Sequence, residues 1–185
     1  MSKDTVKKLN ITNINKELRK LDEKYKVQVY SNMGTIYELS INKYFKEKPI
    51  ADMIVEFMIN YEYSRNNKIQ ITDILDEYIL FLVIKHFTSI GSDFPSKVED
   101  QIILLWKLIE LGLLKNISEV LPSEQLEKIM NRVEHNMINK YNEISSIYEK
   151  MEEAEREVLM KKEEDKMLEE LKEIENDALD VDSDG

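Results

Sequence analysis

The spacing of apolar residues changes several times along this chain, and each change marks an element. In NINKELRKLDEKY, residues 13–25, Ile14, Leu18 and Leu21 recur at intervals of four and three. That spacing predicts a helix with one narrow apolar face. KVQVYSNMGTIYELSI follows, with Val27, Val29 and Ile36 set among Tyr, Thr and polar residues. Its central SNMG is turn chemistry, so two short strands, about 26–31 and 35–41, are predicted as a hairpin. A lone hairpin is marginal in water and must rest on something else.

The pattern then turns helical. Pro49 opens PIADMIVEFMINYEY, which puts Ile50, Met53, Ile54, Phe57 and Tyr61 on one face. SRNNK breaks it. TDILDEYILFLVIKHFTSIG is expected to start at a Thr72 or Asp73 cap and to end at Gly91. Its middle, YILFLVIKHF, is apolar nearly all round, which predicts a central helix covered on several sides. In SDFPSKVEDQIILLWKLIELG, Pro95 and a Ser96–Glu99 capping box predict the start, and Gly112 the stop. Val98, Ile102, Leu105, Trp106, Ile109 and Leu113 form its expected stripe. KNISEVL reads as a short turn leading to Pro122. SEQLEKIMNRVEHNM restarts with Ser123 as cap and Leu126, Ile129, Met130, Val133 and Met137 on one face.

From Val133 onward no Gly or Pro occurs before Gly185. Met137, Tyr141, Ile144, Tyr148, Met151 and Val158 keep intervals of three, four or seven, and Met167, Leu171, Ile174, Ala178 and Val181 do so again. The two registers do not match, so MKKEEDK marks a phase shift or a break. The predicted fold is mainly α: a compact helical bundle with a small N-terminal β-hairpin and a long charged C-terminal helix. Residues 1–45 hold the first helix and the hairpin, and 46–135 the bundle core. An extended amphipathic, coiled-coil-like helix spans 136–176, and a disordered acidic tail 177–185.

Composition narrows the chemistry. Four Gly and three Pro are too few for a sandwich or barrel with many tight turns. The absence of Cys removes disulfides, thiolate metal sites and Cys nucleophiles. No apolar run reaches the roughly 18 to 20 residues that span a bilayer, and no apolar segment follows the lysines of MSKDTVKKLN. No membrane association is expected, and the composition fits a cytoplasmic location. The net charge is −11, unevenly spread. Residues 149–185 carry 16 acids against 6 bases, net −10; the other 148 carry 21 against 20, net −1. The acidic end repels nucleic acid and no basic stripe compensates, so no nucleic-acid binding is expected.

Candidate sites are few. DVDSDG, residues 180–185, matches the opening of a calcium-binding EF-hand loop. It stops at the sixth position, without the closing glutamate, and reads more simply as a solubilising acidic tail. His86 and His135 lie far apart and form no HExxH, so no metal site is expected. His86 is expected to be a core imidazole with one hydrogen bond. Asp73 with Asp76 and Glu77, and Glu99 with Asp100, sit at predicted helix N-termini, where they complement the macrodipole. GxxxxGK[ST], GxGxxG and GxSxG are absent. No catalytic residue and no cofactor is expected, and the chain reads as a non-enzyme. The partner-binding candidates are Met137, Tyr141, Ile144, Tyr148, Met151, Val158, Met167 and Leu171. Flexible thioethers on a long seam suit varied apolar partners; internal packing or a homo-oligomer through the C-terminal helix explains them equally.

Three stretches taken together also carry a likeness: SINKYFKEKPIADMIVEFMINY, ILDEYILFLVIKHFTSIGSDFP and IILLWKLIELGLLKNISEVLPSEQLEKI. Their order resembles the tail assembly chaperones of tailed phages of Gram-positive hosts, over about half the chain. The resemblance implies a non-enzymatic helical protein that coats the tape measure protein while the tail tube polymerises. Two rivals stand beside it: a structural or scaffolding virion component, and a small acidic phage effector that binds a host protein.

Overall fold

The computed structural model describes the backbone of residues 8–69 and 71–181, and the side chains of 8–69 and 71–162. The order is α1 (Ile11–Lys20), β1 (Lys24–Tyr30), β2 (Ile36–Asn42), α2 (Glu47–Asn66), α3 (Leu75–Phe87), α4 (Val98–Glu110), α5 (Leu113–Val120) and α6 (Ser123–Val181). The expected mainly α fold with a small hairpin and a long C-terminal helix is the observed one. The chain divides into two units, Met1–Asn131 and Arg132–Gly185, and the division falls inside α6. No helix among the described residues is long and apolar enough to cross a membrane.

Helix α1 starts earlier than its apolar spacing suggests. Asn10 caps it, its side chain accepting from the Asn13 amide at 2.9 Å, while the Asn13 side chain donates back to the Lys8 carbonyl at 2.7 Å. The Asn10 side chain thus satisfies one amide of the open first turn, and the Asn13 side chain ties the preceding segment to the helix. The helix ends at Lys20, and Tyr25, expected inside it, belongs to β1. There its hydroxyl donates to the Val120 carbonyl at 2.7 Å.

The hairpin is antiparallel, pairing Tyr25 with Ile41, Val27 with Leu39 and Val29 with Tyr37. Val29, Leu39 and Ile41 are buried on its inner face. It rests on two supports. Ile41 bridges to Thr88, and the Ser89 amide donates to Ser40 at 2.9 Å, just past α3. At the tip, the Asn32 amide donates to the Leu111 carbonyl at 2.8 Å and its side chain to Glu110 at 3.2 Å. Asn116 reaches back to the Tyr30 carbonyl at 2.8 Å. Helix carbonyls left open at the end of α4 are therefore closed by the hairpin tip.

Helix α3 is the centre. Tyr78, Ile79, Phe81, Leu82, Val83, Ile84 and Phe87 are all buried, as its all-round apolar pattern requires. It ends at Phe87 instead of Gly91, because Thr88 turns extended to meet Ile41 and its hydroxyl donates back to Ile84 at 2.7 Å. Phe87 stacks on Phe45 with ring centroids 3.9 Å apart. Pro49 sits in the first turn of α2 instead of opening it; α2 begins at Glu47, and a first-turn position needs no helical amide. KNISEVL is not a turn but most of α5. The Ser96–Glu99 box does not form: Lys97 is the cap, and Glu99 accepts from the Tyr63 hydroxyl at 2.7 Å.

The stripe on α4 is also shifted. Its buried line is Val98, Gln101, Leu105 and Leu108, and Trp106 is 47% exposed. The apolar reading missed Gln101, a polar residue that points inward to partners on α2 and α3. Gly112 does stop α4, as expected, at φ +68. A Cβ there would lie 2.3 Å from the Asn32 side-chain oxygen, so both conformation and space demand glycine. Along α6 the backbone stays helical through MKKEEDK, so the register shifts without a break. The helix runs past residue 176 to Val181; DVDSDG beyond its first two residues lies outside the described residues.

Two substitutions test this packing. Leu82→Asp places an unpaired charge where no solvent reaches. It should abolish the cooperative thermal transition followed by circular dichroism, and a soluble helical product would reject the central placement. Gly112→Ala should cost roughly 1–3 kcal/mol in urea unfolding. Adding Asn32→Gly should recover part of that loss, because the clash is with the Asn32 side chain.

Candidate functional site

Of the eight sequence candidates, six lie on described side chains. Met137, Tyr141, Ile144, Tyr148, Met151 and Val158 stand at intervals of four, three, four, three and seven on α6, one stripe of a helix. Tyr141 is 72% exposed and Tyr148 65%; Met151 and Val158 are also exposed, and Met137 and Ile144 are half-buried. Met167 and Leu171 lie on the helical backbone, but their side chains are outside the described residues. Ile138, Ile147, Leu159 and Met160 are exposed as well, which the narrow stripe did not include. The apolar face is thus wider than the stripe. Glu155 interrupts it in the place where a sevenfold repeat from Tyr148 would put an apolar residue.

The first unit contains a polar cluster that spacing could not reveal. Glu56 on α2 meets the Lys85 ammonium and, at 2.7 Å, the His86 ring, both from α3. Gln101 on α4 donates to the same carboxylate at 3.0 Å and to the Pro95 carbonyl at 3.0 Å. Its amide oxygen accepts from Tyr78 at 2.6 Å and from Asn60 at 3.2 Å. Burial pushes the Glu56 carboxyl up, but hydrogen bonds from His86, Lys85 and Gln101 outweigh it and hold it at about 2. Burial pushes the Tyr78 hydroxyl above its ordinary range. A Glu–His pair beside a Tyr has the residue types of acid–base chemistry. Here, however, each partner is spent on another member, and among the described residues no buried side-chain nitrogen or oxygen lacks a hydrogen bond. Such saturation is what a cross-brace between three helices needs. Among the described residues no group of three His, Asp or Glu is placed to hold a metal.

An apolar groove of about 710 Å³ lies along α1, walled by Leu9, Ile14, Leu18, Leu21 and Tyr44. Lys8 and Lys20 stand at its edge, Lys20 paired with Glu17 at 2.6 Å. No residue of α1 is buried. The narrow face seen in the sequence is real, but it faces an open groove instead of a core. A second exposed apolar run, Val55, Ile59 and Tyr63 on α2, shares the Tyr63–Glu99 bond with the face of α4 that carries Ile103 and Trp106.

Glu56 contributes to the acid stability of the first unit. Its folded value lies below the ordinary 4.5, so its contribution is complete above that pH and is lost as pH falls through about 2. The shift corresponds to roughly 3 kcal/mol. Glu56→Gln should therefore lower stability at neutral pH by roughly 2–3 kcal/mol and flatten the decline between pH 4.5 and 2, read from urea midpoints across pH. An unchanged acid profile would show that the brace contributes nothing.

Comparison with known proteins matches residues 11–182 to the YomO family. The SPbeta prophage-derived uncharacterized protein YomO of Bacillus subtilis (strain 168) is 23% identical over 124 residues, 66% of this chain and 71% of that relative. No solved structure matches the chain. The matched span takes in the hairpin, the bundle and all of α6, and a prophage-borne protein is among its kin: the chain belongs to the YomO family.

Proposed function

We propose that this protein is a non-enzymatic phage assembly factor, a tail assembly chaperone that binds the tape measure protein in the host cytoplasm during tail morphogenesis. The observation that carries the reading is the exposed apolar face of α6, with Tyr141, Tyr148, Met151 and Val158 open to water. Soluble proteins seldom display a long row of large apolar side chains without a use, and a helical partner with its own apolar stripe is the natural cover. Kinship with a prophage-derived protein supports the phage setting. The saturated state of the Glu56 cluster supports binding over catalysis. The partner is a protein; neither nucleic acid nor membrane is part of the reading.

The test is a tagged pull-down of the full chain from phage-infected cells, with bound proteins identified by mass spectrometry. The tape measure protein should be recovered, and the chain should be absent from finished virions. Tyr141→Glu with Tyr148→Glu, both at exposed positions that leave the fold intact by circular dichroism, should remove it. Recovery of a capsid protein, or presence in the virion, would replace the chaperone reading with a structural one. Recovery of one host protein alone would replace it with an effector.

A further inference from the structure

The groove along α1 is the feature that the proposed function leaves unused. Ile14 and Leu18 of α1 stand half exposed on it, Leu9 just before the helix more so, and α1 buries none of its residues. A strongly amphipathic helix gains little in water unless something covers its apolar face. The occupant must be apolar, helical and able to tolerate a basic surround. Within residues 8–20, Lys8, Lys16, Arg19 and Lys20 stand against Glu17, net +3. Lys16, Arg19 and Lys20 are exposed, and Lys8 and Lys20 edge the groove itself.

The chain contains one stretch of the complementary kind. Residues 163–185 carry eleven acids against Lys166 and Lys172, net −9. Within them Met167, Leu171, Ile174, Ala178 and Val181 follow at intervals of four, three, four and three, on backbone that is helical to Val181. This gives an apolar stripe with acidic neighbours for an apolar groove edged by Lys8, Lys20 and the Glu17 paired with Lys20, on a helix of net positive charge. The register shift at MKKEEDK separates this stripe from the seam that carries Tyr141 and Tyr148, so the two need not serve the same partner.

We propose that the α1 groove of one copy receives the acidic stripe, residues 163–181, of a second copy. The contact is heterologous: each copy offers one groove and one stripe, and they are different surfaces. Such a contact builds chains or closed rings, not a self-limited pair. It goes beyond partner binding through Tyr141 and Tyr148 and uses neither. The paired surfaces are short, so the association is weak, and charge makes it salt-sensitive.

Sedimentation velocity of the full chain, at about 10 to 200 micromolar, tests this. Average mass should rise with concentration at about 50 mM salt and fall back towards the monomer at about 500 mM. A groove variant, Leu18→Asp with Arg19→Glu and Lys20→Glu, should remain monomeric. So should a stripe variant, Leu171→Asp with Glu169→Lys and Glu170→Lys. Mixed together, the two should form a dimer and nothing larger, because one intact stripe meets one intact groove. Circular dichroism checks that both variants fold. A full chain that stays monomeric throughout, whether its stripe is idle or folded onto its own groove, would overturn the proposal. So would association that survives both variants but is lost with Tyr141→Glu and Tyr148→Glu. Those two positions govern the pull-down separately, so failure here leaves the proposed function standing or falling on its own test.

Discussion

Gln101 has no solvent exposure and four hydrogen-bonding obligations, and the bundle is arranged around meeting them. Its amide oxygen takes bonds from Tyr78 and Asn60; its amide nitrogen gives bonds to Glu56 and to the Pro95 carbonyl. Partners from α2, from α3 and from the approach to α4 must therefore converge on one side chain. An unmet amide in that position costs more than a met one returns, so the helices have one acceptable rotation each. Apolar packing alone tolerates sliding and repacking; this brace does not. It also recruits charge, because Glu56 is held ionised by Lys85, His86 and Gln101 together.

That rotation explains several features of the surface. With Gln101 facing in, the buried line of α4 runs through Val98, Leu105 and Leu108, and Trp106 is turned outward with Ile103. With Glu56 and Asn60 facing the brace, Val55, Ile59 and Tyr63 share the outer side of α2. Among the described residues, the exposed apolar surfaces include this outer side, the α1 groove and the seam on α6. The first unit places its large apolar residues densely in α3, where Phe81, Leu82 and Ile84 are sealed from water.

Much of the fold was legible because its signals are local or periodic. The central helix announced itself by having no polar face, the hairpin by SNMG between alternating strands, and the stop at Gly112 by glycine itself. What escaped depended on partners far away in sequence. The inward turn of Gln101 needs Asn60 and Tyr78, 41 and 23 residues distant. The failed capping box reflects a competing donor, Tyr63, 36 residues from Glu99. Helix α1 was placed late because its start is fixed by Asn10 and Asn13, not by an apolar residue. The seam on α6 was legible as a pattern, since 3-4 spacing survives in any straight helix. Its breadth was not, because Ile138, Ile147 and Leu159 fall off the strict repeat.

The hairpin's supports bear on when it can form during synthesis. Tyr25 is tied to Val120 across 95 residues, Asn32 to Glu110 across 78, and Asn116 to Tyr30 across 86. Two strands alone are marginal in water. Residues 24–42 therefore precede both of their supports in synthesis: the end of α3, which meets Ser40 and Ile41, is made first, and α4 and α5, which hold the tip, only later. Only then can the tip close the open end of α4, so an element made early in the unit is among the last to be secured.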